Sequence, residues 1–433
     1  MTNPVLHLRD GARSLKATRV VPPLAAWPGA KSVARLLSRT YELSAGPGRL
    51  TPMEGLRGLA VLLVFFVHFD ALFGIYARGS ELLSQPTRFL GLIGNAGVDL
   101  FFVLSGYLIY AALIRHNNTT LRFLRRRVIR IYPTFLAVFG LYGALSFVVP
   151  SVSKLRGLSW PEAGVYLAQN LLLLPGVFDI KPLITVAWSL SYELFFYLIS
   201  ALVIRATCLW NWKRRSRIVF FLGIWFGYLA FCFTIPRSHV RALMFVVGIL
   251  LYESLSSERF RRTLSRGGEV LAIVLFVTCL VYGYLLDSHH DLFKWLPAWW
   301  AGRDPAPGVA AYQGPYKTVA FAISMFWCAA YCCSFDGLLK RVFSWTPLRY
   351  LGNMSYSYYL IHGLTLQGVA LIWPFIAASR SAAQTPVFLL ALLASFAATW
   401  ASSTILFVAV EKRFSLRPTS GRARVLATVG VTS

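Results

Sequence analysis

The chain has 433 residues, of which 57% are hydrophobic and only 14% charged, and its formal net charge is +26. Soluble domains carry roughly 25% charged residues, so this composition excludes an ordinary soluble protein. Apolar stretches long enough to cross a hydrocarbon core of about 30 Å recur along almost the whole chain. The composition therefore predicts an all-α, polytopic integral membrane protein.

The apolar runs predict about ten transmembrane helices, at 52–73, 89–114, 131–150, 183–204, 218–235, 240–255, 269–286, 317–334, 350–374 and 386–410. The first 50 residues are basic and lack the continuous apolar core of a signal peptide. We therefore expect a basic cytoplasmic tail over 1–50, a membrane domain over 51–415 and a short cytoplasmic tail over 416–433.

The basic residues sort by side of the membrane. With the N-terminus inside, the cytoplasmic segments carry 31 lysines and arginines and the opposite segments carry 10. Cytoplasmic loops of membrane proteins typically show this excess. The sorting predicts that both termini are cytoplasmic, and it accounts for the net charge without a nucleic-acid partner.

The first predicted span places two polar residues on one helix face. In "LRGLAVLLVFFVHF" (56–69), Arg57 and His68 are eleven residues apart, which is about three helical turns and roughly 16 Å along the axis. Ionisable groups within hydrocarbon cost at least a few kcal/mol and are functional candidates by default. His68 is therefore the first candidate for a functional site.

Three later spans also carry polar groups. "NAGVDLFFVLSGYLIY" contains Asp99 and Ser105, "AWSLSYELFFYLIS" contains Glu193, and "LGNMSYSYYLIHG" contains His362. By their distance from the span ends, we expect His68, Glu193 and His362 to meet near the middle of the membrane. The alternative is that these groups join helices through hydrogen bonds to serine and tyrosine hydroxyls.

A basic cluster precedes the third span on the predicted cytoplasmic side. In "LRFLRRRVIRIYP" (121–133), Arg127 and Arg130 are three residues apart and so share a helix face. Their planar guanidinium groups suit bidentate binding of phosphate. With Arg57 also near the inner surface, the cluster predicts a site for a polyanionic ligand, although the preference for cytoplasmic basic residues alone would also place arginines here.

A buried histidine reached from a cytoplasmic anion site is what acyl transfer from a CoA thioester requires. The histidine would deprotonate an acceptor hydroxyl. In this hypothesis Glu193 or Asp99 orients the imidazole and stabilises its charged form. Ser105, flanked by glycine, allows close backbone approach, and we expect Ser105 and His362 to contact substrate.

Several motifs carry a family resemblance in addition to the Arg57-to-His68 spacing: "GVDLFFVLSGYLI" (97–109), "RRRVIRIYP" (125–133), "AWSLSYELFFYLI" (187–199), "LGNMSYSYYLIH" (351–362) and "VEKRF" (410–414). Through them the chain resembles the membrane-bound acyltransferase 3 family, whose members O-acylate bacterial surface polysaccharides and related acceptors. The resemblance covers about 51–415.

The resemblance implies roles for individual residues. It implies a catalytic function for His68, acyl-CoA binding by Arg57, Arg127 and Arg130, and a requirement for Glu411, the glutamate after the last helix. A surface ion pair with a neighbouring basic residue is the alternative account of Glu411, and such pairs contribute little. Because the chain ends shortly after the tenth span, we expect a stand-alone transferase without an appended hydrolase-like domain.

These observations predict a multi-pass O-acyltransferase of the bacterial inner membrane. It would move an acyl group, acetyl by default, from cytoplasmic acetyl-CoA or another acyl-CoA to a hydroxyl of a glycan or glycolipid of exopolysaccharide or lipopolysaccharide type. No metal is expected. The acceptor would enter from the opposite side or laterally, and both direct transfer and a transient acyl-histidine fit the sequence.

Two other classes remain as alternatives. A secondary transporter or flippase would use the intramembrane His, Asp and Glu groups as a proton relay. Inverted sequence repeats would favour it, and we find none. A sensor or scaffold would form no product that depends on His68.

Overall fold

The computed structural model describes residues 30–43, 50–77, 80–115, 119–148, 153–234, 239–288, 315–376 and 384–416. Across these ranges the regular elements are helices, and no β-strand is found. The predicted all-α class is confirmed.

The helices are α1 (Ala30–Tyr41), α2 (Thr51–Phe73), α3 (Glu81–Ile93), α4 (Ala96–Leu113), α5 (Thr120–Val148), α6 (Trp160–Leu171), α7 (Trp188–Ala206), α8 (Arg214–Thr234), α9 (Leu243–Leu255), α10 (Glu258–Thr263), α11 (Arg266–Ser288), α12 (Pro315–Ser334), α13 (Leu338–Phe343), α14 (Thr346–Asn353), α15 (Ser355–Ile376) and α16 (Gln384–Leu406), which continues as a π-helical segment, Phe407–Ser415.

Eight helical stretches in the described ranges are long and apolar enough to cross a membrane. The polytopic architecture is thereby confirmed, and each of the ten predicted spans coincides with a helix. The two spans outside the set of eight are α9 and α15. With 13 residues, α9 extends only about 20 Å, and α15 carries several tyrosines, a histidine and a glutamine among its apolar residues.

Helix α1 (Ala30–Tyr41) groups separately from the membrane helices. It lies within the predicted basic tail over 1–50. Val33, Leu36 and Leu37 on α1 are exposed, and Arg35 lies on the opposite face. The helix is therefore amphipathic.

The centre of the membrane domain depends on close approach between helices α2, α4 and α9. A Cβ atom added at Gly97 of α4 would overlap the carbonyl oxygen of Ala60 on α2. One added at Gly106 would overlap the carbonyl oxygen of Phe245 on α9. Small residues permit such backbone contact between membrane helices, so α4 packs directly against both neighbours.

A buried ion pair holds the end of α9 against α8. Arg217 Nε lies 2.6 Å from Glu253 Oε1, and the Glu253 carboxylate is fully buried. Tyr110 of α4 donates a hydrogen bond to the same carboxylate. The Glu253 carboxylate thus joins three helices, and the sequence did not identify it as a candidate.

Candidate functional site

A cavity lies among α2, α4, α5, α7 and α15, and we call it the arginine cavity. Its empty volume, open mouth included, is about 860 Å³. The charged and hydroxyl-bearing lining residues are Arg57, Ser105, Arg127, Arg130, Ser189, Glu193, Tyr197, Ser355, Tyr356 and Tyr359. The structure therefore brings together all three predicted donor-binding arginines.

The three arginines differ in what they contact. Arg130 Nη1 lies 2.6 Å from Glu411 Oε1. The Arg127 guanidinium lies over the rings of Phe123 and Tyr197, 5.2 and 5.6 Å from their centroids. Neither Arg57 nor Arg127 forms a hydrogen bond or an ion pair with any described residue. Two guanidinium groups in the cavity lining therefore have donors available for an anion.

Glu411 is a buried partner of Arg130 and lies within the helical chain. The expectation placed it after the last helix, but α16 continues through it in the π-helical form. Its second carboxylate oxygen accepts hydrogen bonds from Ser357 N, at 3.1 Å, and Ser357 Oγ, at 2.5 Å. The carboxylate thus connects α5, α15 and the π-helical segment, and it fixes the position of Arg130.

Glu193 belongs to the arginine cavity. Its Oε1 accepts hydrogen bonds from Ser105 Oγ at 2.7 Å and from Tyr197 OH at 2.5 Å. Neither His68 nor His362 is a lining residue of this cavity. The three groups expected to meet in mid-membrane therefore separate into a carboxylate beside the arginines and a pair of histidines, because α7 presents Glu193 to α4 rather than to α2.

His68 and His362 are in contact. Their ring centroids are 4.9 Å apart and the rings are tilted by 57°. His362 is fully buried, and its Nδ1 lies 2.7 Å from the backbone oxygen of Tyr359. A carbonyl oxygen only accepts, so Nδ1 carries the hydrogen and Nε2 carries the lone pair. No described residue donates to Nε2.

One side chain separates the histidine pair from the arginine cavity. Tyr359 lines the cavity, and its ring centroid is 5.9 Å from that of His362. The Tyr359 hydroxyl is held at 2.7 Å from Ser189 Oγ and donates to the Val186 oxygen at 3.1 Å. This wall of the cavity therefore adjoins His362, which in turn contacts His68.

Asp99 lies outside the cavity lining and forms an ion pair with Arg241, which was not among the predicted site residues. Its Oδ1 is 3.3 Å from Arg241 Nε, and both side chains are buried. Arg241 also donates to the Asn95 oxygen at 3.2 Å, and its guanidinium lies over the Trp188 ring. A signal was available, because Arg241 stands at the start of a predicted span on the side with few basic residues.

Comparisons with known proteins identify acyltransferases as relatives of this chain. The family model Acyl_transf_3, described as an acyltransferase domain, matches residues 52–405. The acyltransferase MdmB of Streptomyces mycarofaciens is 34% identical over 156 residues, which is 35% of this chain and 38% of that protein.

Two further relatives are named for polysaccharides or peptidoglycan. The exopolysaccharide production protein ExoZ of Rhizobium meliloti is 27% identical over 165 residues, 37% of this chain and 51% of that protein. The putative peptidoglycan O-acetyltransferase YrhL of Bacillus subtilis is 24% identical over 346 residues, 72% of this chain and 47% of that protein.

The aligned regions span about half the length of these relatives or less. No solved structure matches the chain. The family match nevertheless covers most of the membrane domain, including all the residues of the arginine cavity and the histidine pair. The chain belongs to the acyltransferase 3 family.

Proposed function

We propose that this protein is a membrane-bound O-acyltransferase that moves an acyl group, acetyl by default, from acyl-CoA to a hydroxyl of a glycan or glycolipid. The observation that carries the proposal is the arginine cavity, in which Arg57 and Arg127 form no hydrogen bond or ion pair with any described residue and a histidine pair lies one side chain away. The relatives named for exopolysaccharide and peptidoglycan support the glycan acceptor.

The donor fits the cavity by charge and by shape. The phosphates of CoA would take charge-assisted, bidentate hydrogen bonds from Arg57 and Arg127, while Arg130, held in place by Glu411, would add its remaining N–H donors. Phe101, Phe102 and other apolar residues line the rest of the cavity and suit the pantetheine arm. Along α2, His68 is roughly 16 Å beyond Arg57, a distance comparable with that extended arm.

His68 acts as the general base in the proposed reaction. Its free ring nitrogen takes the proton of the acceptor hydroxyl as the hydroxyl oxygen attacks the thioester carbonyl carbon. The new C–O bond forms, the C–S bond breaks, and the imidazolium returns its proton to the sulfur, so the products are the ester and CoA. An acyl-histidine route uses the same groups in two steps.

His362 positions His68 in this mechanism. Because Nδ1 of His362 donates to the Tyr359 carbonyl, Nε2 has a free lone pair beside the ring of His68. In the proposed mechanism Nε2 would accept a hydrogen bond from one ring nitrogen of His68, and that bond would select the tautomer of His68 whose other nitrogen is the base. Orienting groups that hold a catalytic histidine in one tautomer are a recurrent feature of acyl-transfer sites.

The proposal also assigns sides and a location. The arginine cavity would face the cytoplasm, where acyl-CoA is made, with both termini on that side and the protein in the bacterial inner membrane. This orientation agrees with the excess of basic residues on the cytoplasmic segments. In this proposal Asp99 has a structural role, because its ion pair with Arg241 joins α4 to the chain before α9. The sequence predicted a catalytic role for Asp99.

Donor binding tests the cavity assignment. Arg57→Gln and Arg127→Gln are each expected to weaken CoA binding, measured by calorimetry on the detergent-purified protein, by about tenfold to a hundredfold, since a hydrogen bond to a charged group contributes about 1.5–3 kcal/mol. Arg126→Gln is the matched control, because Arg126 is exposed on the same helix α5 and does not line the cavity. Equal affinities in all four proteins would overturn the assignment.

A further inference from the structure

A second cavity lies between α5, α15 and the segment that joins α5 to α7. Its empty volume, open mouth included, is about 810 Å³. Tyr142 and Ser146 of α5, Gln367 and Gly368 of α15, and Lys154 of the joining segment line it together with leucine side chains. The second cavity shares no lining residue with the arginine cavity.

The two cavities lie at different levels along the same two helices. On α5, Arg130 lines the arginine cavity and Tyr142 lines the second, and twelve residues separate them by roughly 18 Å along the helix. On α15, Tyr359 lines the first cavity and Gln367 the second. His362 stands between them in the sequence of α15, so the histidine pair lies at the level that separates the two cavities.

The inner end of the second cavity reaches the turn of α15 that carries His362. The Tyr142 hydroxyl lies 3.3 Å from the position that a Cβ atom of Gly363 would occupy, and Gly363 follows His362 directly. Within the described part of the chain, neither this hydroxyl nor the Gln367 amide forms a hydrogen bond. Both groups therefore offer donors and acceptors to a ligand.

Lys154 stabilises the wall of the second cavity. Its ammonium group donates to the Pro182 oxygen at 2.8 Å, the Leu183 oxygen at 3.1 Å and Thr185 Oγ1 at 3.1 Å. All three acceptors are uncharged, and no described carboxylate pairs with the ammonium group. The wall is thus held in place and positively charged.

We propose that the second cavity binds the acceptor as a sugar ring, with Gln367 and Tyr142 hydrogen-bonded to its hydroxyls and the leucine side chains against its C–H face. A hydrocarbon chain in the same place would cover the Tyr142 hydroxyl and the amide and leave both without partners, which costs free energy. This inference rests on the proposed acyl transfer, because it gives the second substrate a site on the far side of the histidine pair from the donor.

Photoaffinity labelling tests the inference without turnover. The probe is an alkyl β-glucoside with a diazirine on its chain, and the reference is a fatty alcohol of equal length with the same diazirine. Gly368→Leu fills the cavity, since no atom lies within 4 Å of the Cβ position at Gly368. Gly140→Leu is the matched control, because the Gly140 position is equally open but lines neither cavity.

We expect the glucoside to label peptides containing 142–146 and 364–371 in the wild type and in Gly140→Leu, and at least tenfold less in Gly368→Leu and Gln367→Leu. CoA binding should be unchanged in all four proteins. Equal labelling by the fatty alcohol, labelling that Gly368→Leu leaves intact, or no labelling of these peptides would overturn the inference. Failure of the proposed function is seen separately, as loss of CoA binding or of His68-dependent CoA release.

Discussion

His68 of α2 and His362 of α15 face each other with ring centroids 4.9 Å apart. The backbone oxygen of Tyr359 fixes the hydrogen of His362 on Nδ1, so the nitrogen available to His68 is Nε2. In the proposed mechanism, His362 would take the place that a carboxylate occupies in a Ser-His-Asp triad, as an acceptor that orients the imidazole of His68. The contact therefore supports a positioning role for His362, whereas the sequence predicted that it contacts substrate.

The positioning part of His362 predicts an asymmetry between two amide substitutions. Glutamine places its side-chain oxygen near the position of Nε2, whereas asparagine places its oxygen near Nδ1. We expect His362→Gln to keep kcat within about tenfold of the wild type, and His362→Asn to lose at least about a hundredfold, the usual contribution of acid–base catalysis. KM for acyl-CoA should stay unchanged in both, and equal kcat values for the two variants would contradict the assignment.

The Arg130–Glu411 pair predicts a large effect on stability. Glu411→Ala removes the partner of a cation at a buried site, and breaking such a pair costs about 3–5 kcal/mol. We expect a clear drop in the unfolding midpoint measured in detergent. Glu258→Ala is the control, because the Glu258–Arg262 pair is exposed and such pairs contribute at most about 1 kcal/mol. Similar midpoints for both variants would contradict the structural account of Glu411.

The pairing of Asp99 with Arg241 predicts that Asp99 supports the fold and not the chemistry. Asp99→Asn keeps the shape of the side chain but removes the charge that faces Arg241. We expect a lower unfolding midpoint with kcat per folded molecule within about threefold of the wild type, as for a residue outside the cavity. Loss of turnover in Asp99→Asn with an unchanged unfolding midpoint would instead support a catalytic role for Asp99.

Lys154 predicts a pH-dependent contribution to stability. Burial lowers the pKa of its ammonium group to about 8, from 10.5 in an unfolded chain. Between these values the unfolded chain binds more protons, so the free energy of unfolding rises with pH, by less than the full shift implies because the side chain is partly exposed. From pH 7 to 10, the wild-type midpoint should rise relative to that of Lys154→Met. A constant or falling difference would show that the hydrogen bonds, not burial, dominate.

The sequence predicts local features of this protein well. Apolar length identifies the membrane helices, and helical periodicity places Arg57 and His68 on one face and Arg127 beside Arg130. These features depend only on residues within one helix. The grouping of Arg57, Arg127 and Arg130 could be predicted because all three lie near the same predicted end of their spans.

Contacts between helices are what the sequence could not supply. The helix that carries Glu193 is rotated to bring its carboxylate to Ser105, and no pattern within α7 reveals that rotation. The pairing of Asp99 with Arg241 depends on α4 and α9 packing closely through Gly106, across about 140 residues of chain. Glu411 lies in the π-helical continuation of α16, and its carboxylate contacts Arg130 and Ser357, which lie on other helices.

The most direct measurement of the central claim is release of CoA from acetyl-CoA by the purified protein, with and without glycan acceptors, for the wild type, His68→Ala and His239→Ala. His239 is the matched control, since its ring is hydrogen-bonded to the Tyr192 hydroxyl and it lines neither cavity. We predict acceptor-stimulated turnover in the wild type and His239→Ala, and a loss of at least about a hundredfold in His68→Ala. Turnover that survives in His68→Ala would contradict the account.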